Sequence, residues 1–345
     1  MKFLFTGKDD FKYNRTRILL NGLLSLPDVE VIQYPLNKED FSKDEFVALS
    51  EASDFVYLPP FRHSDCRIVK RLTSTPLIFD PLISKYLTRT IDHGKWWTGP
   101  EKYLRDVTAF RASDFILMDT ECDRQWIIDK YRLDPDRVFV LPIGVDTSIF
   151  NPIDVGANDQ FVVGFHGGFI PLQGVDRIVK AAKHLEDDPD IVFDIVGAGS
   201  QYKKILKLAD RIHVPNVKFR GWVNYDGIND IVNGFDVCLG IFGDSIKTDM
   251  VIPNKVYEYA AIKKCIITKD TPAIKEIFED GKHMVLTDSA PEAIAAKIQE
   301  MKQDPNRRQS IAEEGYKVVT SEYDEAGIAR KFVAIAKQCK AAGTA

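Results

Sequence analysis

Short apolar runs alternate with longer stretches of helical period along the whole chain. The runs are rich in β-branched and aromatic side chains, as the buried strands of parallel sheets are. They predict strands over 2–5, 29–34, 54–58, 76–79, 115–118 and 138–141, and again over 161–165, 191–196, 217–220, 236–242 and 265–268. The longer stretches predict helices near 14–26, 40–51, 64–73 and 121–132, and then near 174–186, 200–212, 226–233, 254–263, 290–303 and 323–341. This alternation is typical of βαβ units around a parallel sheet, and it occurs twice.

A turn-rich segment separates the two halves. The sequence PIGVDTSIFNPIDVGANDQ, residues 142–160, holds prolines, glycines and turn-forming Asp and Asn residues before a fresh apolar strand. A chain of 345 residues is longer than one hydrophobic core usually supports. We therefore predict an α/β protein with two Rossmann-like domains, 1–150 and 151–322.

Composition and charge exclude several classes of function. A formal net charge of −5 argues against a general nucleic-acid binder, which needs a basic surface. The five cysteines never form a C-x-x-C pair, so we expect neither a disulfide framework nor a zinc site. No apolar run approaches the roughly 20 residues that cross a bilayer, and the N-terminal run is too short for a signal peptide. These features predict a cytoplasmic protein.

Two glycine turns follow strands in the second half. They read FHGGFIPLQG, residues 165–174, and VGAGSQ, residues 196–201. Glycine lets backbone N–H groups approach an anion, and the helix behind each turn favours negative charge. A bare turn is the simpler explanation of the glycines taken alone, because such motifs are weak without context. Neither turn, nor FTGKDDF near the N-terminus, has the G-x-G-x-x-G pattern, so a dinucleotide-dependent oxidoreductase is disfavoured.

The stretch IPNKVYEYAA, residues 252–261, predicts a helix with Asn254 as its N-cap. Lys255 and Glu258 then lie in the first turn. A lysine is disfavoured there by the helix dipole and calls for an anion nearby. A carboxylate one turn later suits the two neighbouring hydroxyls of a ribose. A surface ion pair between the two residues explains them equally well at this point.

Taken together and in order, these segments resemble family 4 glycosyltransferases, which are retaining enzymes of the GT-B fold. The resemblance rests on FHGGFIPLQGVDRIVKAAKHL, IVGAGSQYKKIL, VPNVKFRGWVNYDGINDIVNGFDVCLGIF, IPNKVYEYAAIKKCII and PIGVDTSIFNP. It implies two Rossmann-like domains that face each other across a cleft, with 1–150 on the acceptor side and 151–322 binding the nucleotide sugar. It also implies that the last helix, about 323–341, packs back on the first domain.

The resemblance assigns residues to the donor site. It implies that Glu258 binds the ribose and that Lys255 lies near the diphosphate. The remaining donor residues that it implies are Gly167, Gly168, Gln173, Gly197, Arg220, Gly221, Trp222 and Val223. Asp80 in IFDPL and His93 in TIDHGKW are candidates for the catalytic polar residue that approaches the donor sugar, and Asp80 is slightly preferred.

Three positions depart from the family pattern. Gln173 stands where most members have a lysine, Gly168 or Phe169 where they have an arginine, and Met250 where they have the first glutamate of E-x7-E. Lys255, backbone N–H groups and a helix N-terminus would then hold the diphosphate.

No cofactor or metal is expected. The two Asp-x-Asp pairs, at 134–136 and 188–190, contain proline and are predicted to be structural turns.

The segment 62–111 carries ten Lys or Arg against five acids, in a chain of opposite net charge. Lys95, Trp96 and Trp97 lie within it, and they are candidates for contact with an acceptor or a membrane surface. A solvated face with two core tryptophans is the simpler explanation of the same residues.

The sequence thus predicts a retaining, metal-independent hexosyltransferase. It would move a sugar from a UDP- or GDP-sugar to a saccharide or lipid-linked acceptor, in cell-surface glycan or glycolipid synthesis. It would work in the cytoplasm, with peripheral contact at the inner membrane face. A nucleotide-sugar epimerase of the same architecture and a non-catalytic GT-B partner subunit remain as alternatives.

Overall fold

The chain folds into two parallel β-sheets, each covered by helices. The computed structural model describes residues 1–9, 11–156 and 158–342. The strands are β1 (Lys2–Phe5), β2 (Glu30–Gln33), β3 (Phe55–Leu58), β4 (Leu77–Phe79), β5 (Phe115–Met118), β6 (Val138–Val140), β7 (Phe161–His166), β8 (Ile191–Val196), β9 (Val217–Gly221), β10 (Val237–Leu239), β11 (Cys265–Lys269) and β12 (Val285–Thr287). The α-helices are α1 (Asn14–Leu24), α2 (Lys43–Glu51), α3 (Cys66–Leu72), α4 (Gly99–Ala112), α5 (Glu121–Tyr131), α6 (Val175–Lys183), α7 (Tyr202–Ile212), α8 (Ile228–Asn233), α9 (Asn254–Ala261), α10 (Pro291–Gln303), α11 (Pro305–Glu322) and α12 (Glu325–Ala342).

The N-terminal unit comprises Met1–Asp146 together with the C-terminal segment from Glu322 onward. Its strands lie in the order β2-β1-β3-β4-β5-β6 and every pairing is parallel. Helix α12 packs on α1, and Phe332 is completely buried beside the sheet residues Phe3 and Tyr57. The last helix therefore completes the core of the first unit.

The second unit is continuous, from Thr147 to Ser321. Its parallel strands lie in the order β12-β11-β10-β7-β8-β9. The chain runs from β7 outward through β8 to β9, then returns to the other side of β7 for β10. Ligands of open α/β sheets bind where the strand order reverses in this way. A ligand site is therefore expected at the carboxyl ends of β7 and β10.

The sequence patterns did not predict two of the α-helices and one of the strands. Helices α4 and α11 and strand β12 are present although no pattern predicted them. Helix α11 is polar along most of its length, and its buried positions are few: Ile311, Ala312, Gly315 and Val319. Such a helix gives a weak 3.6-residue signal, because its stability comes from packing and not from a wide apolar stripe.

Candidate functional site

Glycine turns at the carboxyl ends of β7 and β8 interlock. The Gly167 N–H donates to the carbonyl of Val196 at 3.0 Å, and the Gly197 N–H donates to the carbonyl of Gly221 at 2.7 Å. Gly167 and Gly197 have φ of +145° and +135°, which disfavour any side chain. A Cβ on Gly197 would lie 1.9 Å from the Gly167 carbonyl oxygen. Only glycine fits there, and the turns form one continuous backbone surface.

Gly168 lies on the open side of this surface. It is exposed, and the nearest heavy atom to a Cβ built on it is the Ala198 carbonyl oxygen at 4.0 Å. The backbone at Gly168 is therefore accessible to a ligand, while Gly167 and Gly197 hold the turn in shape.

Helix α9 begins one residue earlier than predicted. Pro253, in an extended conformation with φ −73° and ψ 151°, occupies the N-cap position and makes no side-chain cap hydrogen bond. Asn254 is the first helical residue, so its prediction as the N-cap is wrong. The fixed φ of proline suits the residue that leads into a helix, and it takes that place ahead of the asparagine.

The side chain of Lys255 is folded inward under the first glycine turn. It is 4% exposed, its Nζ donates to Gln173 Oε1 at 2.5 Å, and Nζ lies 3.5 Å from the centroid of the Phe165 ring. A Cβ on Gly167 would be 2.8 Å from Nζ. Among the residues that the structure describes, no carboxylate lies within ion-pair distance of this amine. The structure thus brings Lys255, Gln173 and Gly167 together, and their role as a donor site stays a prediction.

Burial lowers the pKa of Lys255 well below its ordinary value, and the field of Glu258 opposes this shift only in part. The ring of Phe165 and the amide of Gln173 also favour the ammonium form, by about 2 kcal/mol each. Removing an ion from water costs several kcal/mol even after the protein relaxes. Desolvation by burial is the largest of the effects on this pKa, which stays lowered.

Glu258 lies one turn further along α9 and is held by two side chains. Its Oε2 is 2.9 Å from His166 Nε2, and its Oε1 accepts a hydrogen bond from the Tyr225 hydroxyl at 3.0 Å. The carboxylate is 2% exposed. The alternative of a surface ion pair between Lys255 and Glu258 is wrong, because both residues are buried and their charged groups are not paired.

Sequence reasoning missed His166 and Tyr225. His166 is the last residue of β7, directly before the glycine pair, and Tyr225 follows the turn after β9. A polar residue ending a central strand is the signal that would have indicated His166, because such residues face the ligand edge of a parallel sheet.

The predicted base-binding segment follows β9. The side chain of Arg220 is held by Asp194, whose two carboxylate oxygens accept from Nε at 2.7 and 2.8 Å. Gly221 has φ of +72°, Trp222 is 72% exposed and Val223 is half-buried. Because the guanidinium is engaged, the backbone of this segment is the part left for a base, and that role stays a prediction.

Met250 is buried, with 7% of its surface exposed. It stands where the family resemblance places the first glutamate of E-x7-E. A thioether cannot supply the negative charge or the strong acceptor oxygens of a carboxylate. Met250 therefore cannot replace the first carboxylate of the motif, and Glu258 is the carboxylate that remains.

In the N-terminal unit Asp80 is the centre of a buried polar group. Its Oδ2 accepts from Arg15 Nε at 2.6 Å and from the Tyr57 hydroxyl at 3.0 Å, and the residue is 0% exposed. Burial, with the field of Asp80, raises the pKa of Tyr57 well above its ordinary value. In this conformation the carboxylate is closed off from solvent, and the catalytic role of Asp80 stays a prediction.

His93 ends a π-helix that spans Tyr86–Asp92. Its side chain is 17% exposed, and Nε2 lies 3.7 Å from the carboxylate of Asp92. His93 is therefore the more accessible of the two catalytic candidates, although its role also stays a prediction.

Trp96 and Trp97 are 76% and 63% exposed, and their rings form an edge contact with centroids 6.0 Å apart. Lys95 beside them is exposed as well. The explanation of two core tryptophans is wrong, because both indoles are on the surface.

The two Asp-x-Asp pairs serve local structure. Asp134 accepts from the Asp136 N–H at 3.0 Å and caps a 3₁₀ turn. Asp188 accepts from the Asp190 N–H at 3.1 Å, and both of its oxygens lie 2.8 Å from Lys302 Nζ. Over the described ranges, no group of three or more His, Cys, Asp or Glu residues is arranged to hold a metal ion.

Comparison with known proteins points to glycosyltransferases. Residues 176–334 match the family described as "Glycosyl transferase-like". The chain is 35% identical over 97 residues to a D-inositol 3-phosphate glycosyltransferase of Stackebrandtia nassauensis, which covers 25% of this chain and 22% of that protein. It is 22% identical over 258 residues to an alpha-maltose-1-phosphate synthase of Mycolicibacterium smegmatis, covering 68% of this chain and 65% of that one. The first of these matches thus spans about a fifth of the relative's length.

Solved structures confirm the predicted GT-B fold. Anabaena HepE in complex with UDP has a TM-score of 0.73 at 14% identity, covering 97% of this chain and 99% of HepE. Sucrose-phosphate synthase from Thermosynechococcus elongatus has a TM-score of 0.77 at 12% identity, covering 99% and 100%. Together with the sequence matches, these findings confirm the resemblance to family 4 glycosyltransferases.

Proposed function

We propose that this protein transfers a sugar from a UDP- or GDP-sugar to a saccharide or lipid-linked acceptor. The observation that carries the proposal is the arrangement on α9. A buried lysine with no carboxylate partner among the described residues and a buried carboxylate lie one turn apart, next to an accessible glycine turn. An unpaired buried cation calls for an anion, and a carboxylate suits a pair of hydroxyls. A nucleoside diphosphate offers an anionic diphosphate for Lys255 and a pair of ribose hydroxyls for Glu258, which lie one helical turn apart.

In this proposal, the leaving diphosphate is stabilised by fixed groups of the second unit. Lys255 and the open N–H at Gly168 face the negative charge that grows as the glycosidic bond breaks. Glu258 binds the ribose hydroxyls and fixes the nucleotide. Support for a nucleotide with a diphosphate comes from HepE, whose solved complexes contain UDP, UDP with glucose, or UDP-glucose.

Retention of configuration and independence from metal are parts of the same proposal. Retention is supported by the family resemblance alone. Independence from metal is supported by Asp134 and Asp188, because the Asp-x-Asp pairs to which they belong are engaged in a turn and an ion pair with Lys302. Activity that survives excess chelator would support this part, and activity restored only by a divalent cation would contradict it.

The experiment that tests the function is a screen followed by a transfer assay. Thermal stability is measured with UDP, GDP and ADP and with a sugar of each, and the stabilising nucleotide sugar is then incubated with saccharide and lipid-linked acceptors. We expect one nucleotide family to stabilise the protein and an acceptor-dependent release of nucleoside diphosphate. Absence of stabilisation by every nucleotide would refute the proposal.

The second candidate is a non-catalytic GT-B partner subunit. It is favoured by Met250, which is buried at a position where the resemblance expects a glutamate, and by Asp80, whose carboxylate is enclosed. The same assay separates the two functions. Nucleotide binding with neither transfer nor hydrolysis, over all acceptors, would favour the partner subunit.

We also propose that the acceptor side touches a membrane surface at the inner face, through Lys95, Trp96 and Trp97. Exposed tryptophans with neighbouring cations suit the headgroup region of anionic lipids. In the part of the chain described, no helix is both long and apolar enough to cross a bilayer.

Liposome flotation tests this contact. Changing Lys95, Trp96 and Trp97 to Ala should abolish flotation with anionic vesicles. Trp222→Ala removes an equally exposed tryptophan, 72% accessible, from the second unit and is the matched control. Equal flotation of the triple variant and the wild type would refute the membrane contact.

A further inference from the structure

A cavity of about 370 Å³ lies in the N-terminal unit, between the beginning of α3 and helix α4. A volume of this size is within the range that binds small ligands. The cavity is separate from the donor site and from the three surface residues proposed above for membrane contact. Its lining includes His63, Ser64, Arg67, Glu101, Leu104 and Arg105.

Positive charge is in excess at this cavity. Glu101 carries the carboxylate of the lining, and its two oxygens pair with Arg105 at 2.6 Å and with Lys102 at 2.8 Å. Arg67 is exposed and makes no ion pair within the described ranges. Two cations thus share one carboxylate and a third has none. A concave surface with one prevailing sign of charge attracts ligands of the opposite sign.

Two buried carboxylates beside the cavity are occupied by internal donors. Asp106 is completely buried and accepts hydrogen bonds from two hydroxyls and two backbone N–H groups. Asp65 is buried as well, and it accepts from the Lys8 N–H at 2.9 Å and from the Ser64 hydroxyl at 3.1 Å. Neither carboxylate forms an ion pair with Arg67, so the cavity keeps a cation for an external anion.

His63 is the buried polar residue of the lining. It is 2% exposed, and its Nε2 lies 3.3 Å from Asp106 Oδ1, but neither ring nitrogen makes a hydrogen bond to the residues that the structure describes. An imidazole carries at least one N–H in either protonation state. A buried N–H without an acceptor is costly, and an oxygen of a bound anion would supply one.

The α4 side of the cavity is apolar. Leu104 lines it and is 64% exposed, and the turn that leads into α4 carries the exposed Trp96 and Trp97. Exposed apolar side chains next to cations suit an amphiphile with an anionic headgroup. Free phosphate would use the cations and leave the apolar side in water.

We propose that this cavity binds the phosphate group of a lipid, with Arg67 and Arg105 on the phosphate oxygens and Leu104 against the lipid chain. The inference rests on the proposed membrane contact, to which it adds a defined phosphate site. Arginine suits this role because its planar guanidinium can donate two parallel hydrogen bonds to a phosphate.

Calorimetric titration of the full chain with soluble probes tests the site without a membrane. The probes are dihexanoyl-phosphatidate below its micelle concentration, dihexanoylglycerol, which lacks the phosphate, and inorganic phosphate, which lacks the chains. We expect the lipid phosphate to bind at least about tenfold more tightly than inorganic phosphate, because it also buries Leu104. Dihexanoylglycerol should show no binding. Equal affinity for the lipid phosphate and inorganic phosphate would overturn the proposal, since the ligand would then be a free anion.

Three variants locate the binding. Arg67→Gln and Arg105→Gln should each weaken dihexanoyl-phosphatidate by about tenfold or more, because each removes a charged hydrogen bond. Leu104→Ser should reduce the preference for the lipid over inorganic phosphate. Arg71→Gln removes the same charge from an exposed position near the end of α3, outside the cavity, and is the matched control. Unchanged binding in both arginine variants of the cavity would overturn the proposal.

The outcomes distinguish this inference from the proposed membrane contact. If the wild type floats with anionic vesicles but does not bind dihexanoyl-phosphatidate, the membrane contact stands and the inference is overturned. If the wild type neither floats nor binds this probe, both are overturned.

Discussion

The substitution Glu258→Gln tests the ribose assignment with little change of shape. The side chain is 2% exposed, and glutamine fills the same volume and keeps one acceptor oxygen. It removes the negative charge that now accepts the Tyr225 hydroxyl at 3.0 Å and lies 2.9 Å from His166. The variant therefore separates the charge of this group from its packing.

The expected loss follows from the kind of hydrogen bond that changes. A hydrogen bond to a charged acceptor contributes about 1.5–3 kcal/mol, and a neutral one about 0.5–1.5 kcal/mol. Two ribose hydroxyls on the Glu258 carboxylate would each lose about 1–1.5 kcal/mol, or about 2–3 kcal/mol together. At 1.4 kcal/mol for each factor of ten, the affinity for the nucleotide should fall by roughly 30- to 150-fold.

The assay compares ribonucleotides with their 2′-deoxy forms. The dissociation constants of UDP and 2′-deoxy-UDP, or of GDP and 2′-deoxy-GDP if the base is guanine, are measured on the wild type and on Glu258→Gln. We expect the wild type to prefer the ribonucleotide and the variant to lose most of that preference. Lys255→Met is the matched control, because it should weaken both ligands and keep the preference for ribose. A variant that weakens ribo and deoxy forms by the same factor would show that Glu258 does not bind the ribose.

Three further predictions concern the architecture that supports the sites. Gly197→Ala should lower the stability of the second unit by about 2 kcal/mol or more, because its Cβ would overlap the Gly167 carbonyl at a strained φ. It should also abolish nucleotide binding. Normal binding, checked by calorimetry, would contradict this prediction. Arg15→Met should destabilise the N-terminal unit by about 3–5 kcal/mol, because it leaves Asp80 buried without its ion-pair partner. A denaturation midpoint equal to that of the wild type would show that this ion pair is not required for stability. Gly22→Ala should cost about 1–3 kcal/mol, because its Cβ would lie 1.9 Å from a carbonyl oxygen at the start of α12. A change in melting temperature no larger than that of Gly227→Ala, whose Cβ would make only an ordinary contact at 3.8 Å, would refute that packing argument.

The alternation of apolar runs and helical stretches was enough to predict two parallel sheets, because a fully buried strand must be apolar along its whole length. The order of strands within each sheet could not be predicted, since it depends on which neighbours each strand finds in space. Helix α11 was missed because its surface is mostly polar. The structure brings Lys255 together with Gln173 and Gly167, which lie more than 80 residues away in the sequence, and their role in binding a donor stays a prediction.

The sequence by itself determined the types of chemistry available: glycine turns after strands, and a lysine and a glutamate one helical turn apart on α9. Only the tertiary structure decided the state of those groups. Burial removed the water that would have stabilised the charge of Lys255, and the ends of two other strands brought His166 and Tyr225 to Glu258. Tertiary packing likewise buried Asp80 beside Arg15 and left Trp96 on the surface. Charge and accessibility depend on neighbours that are distant in the chain, so a linear pattern does not contain them.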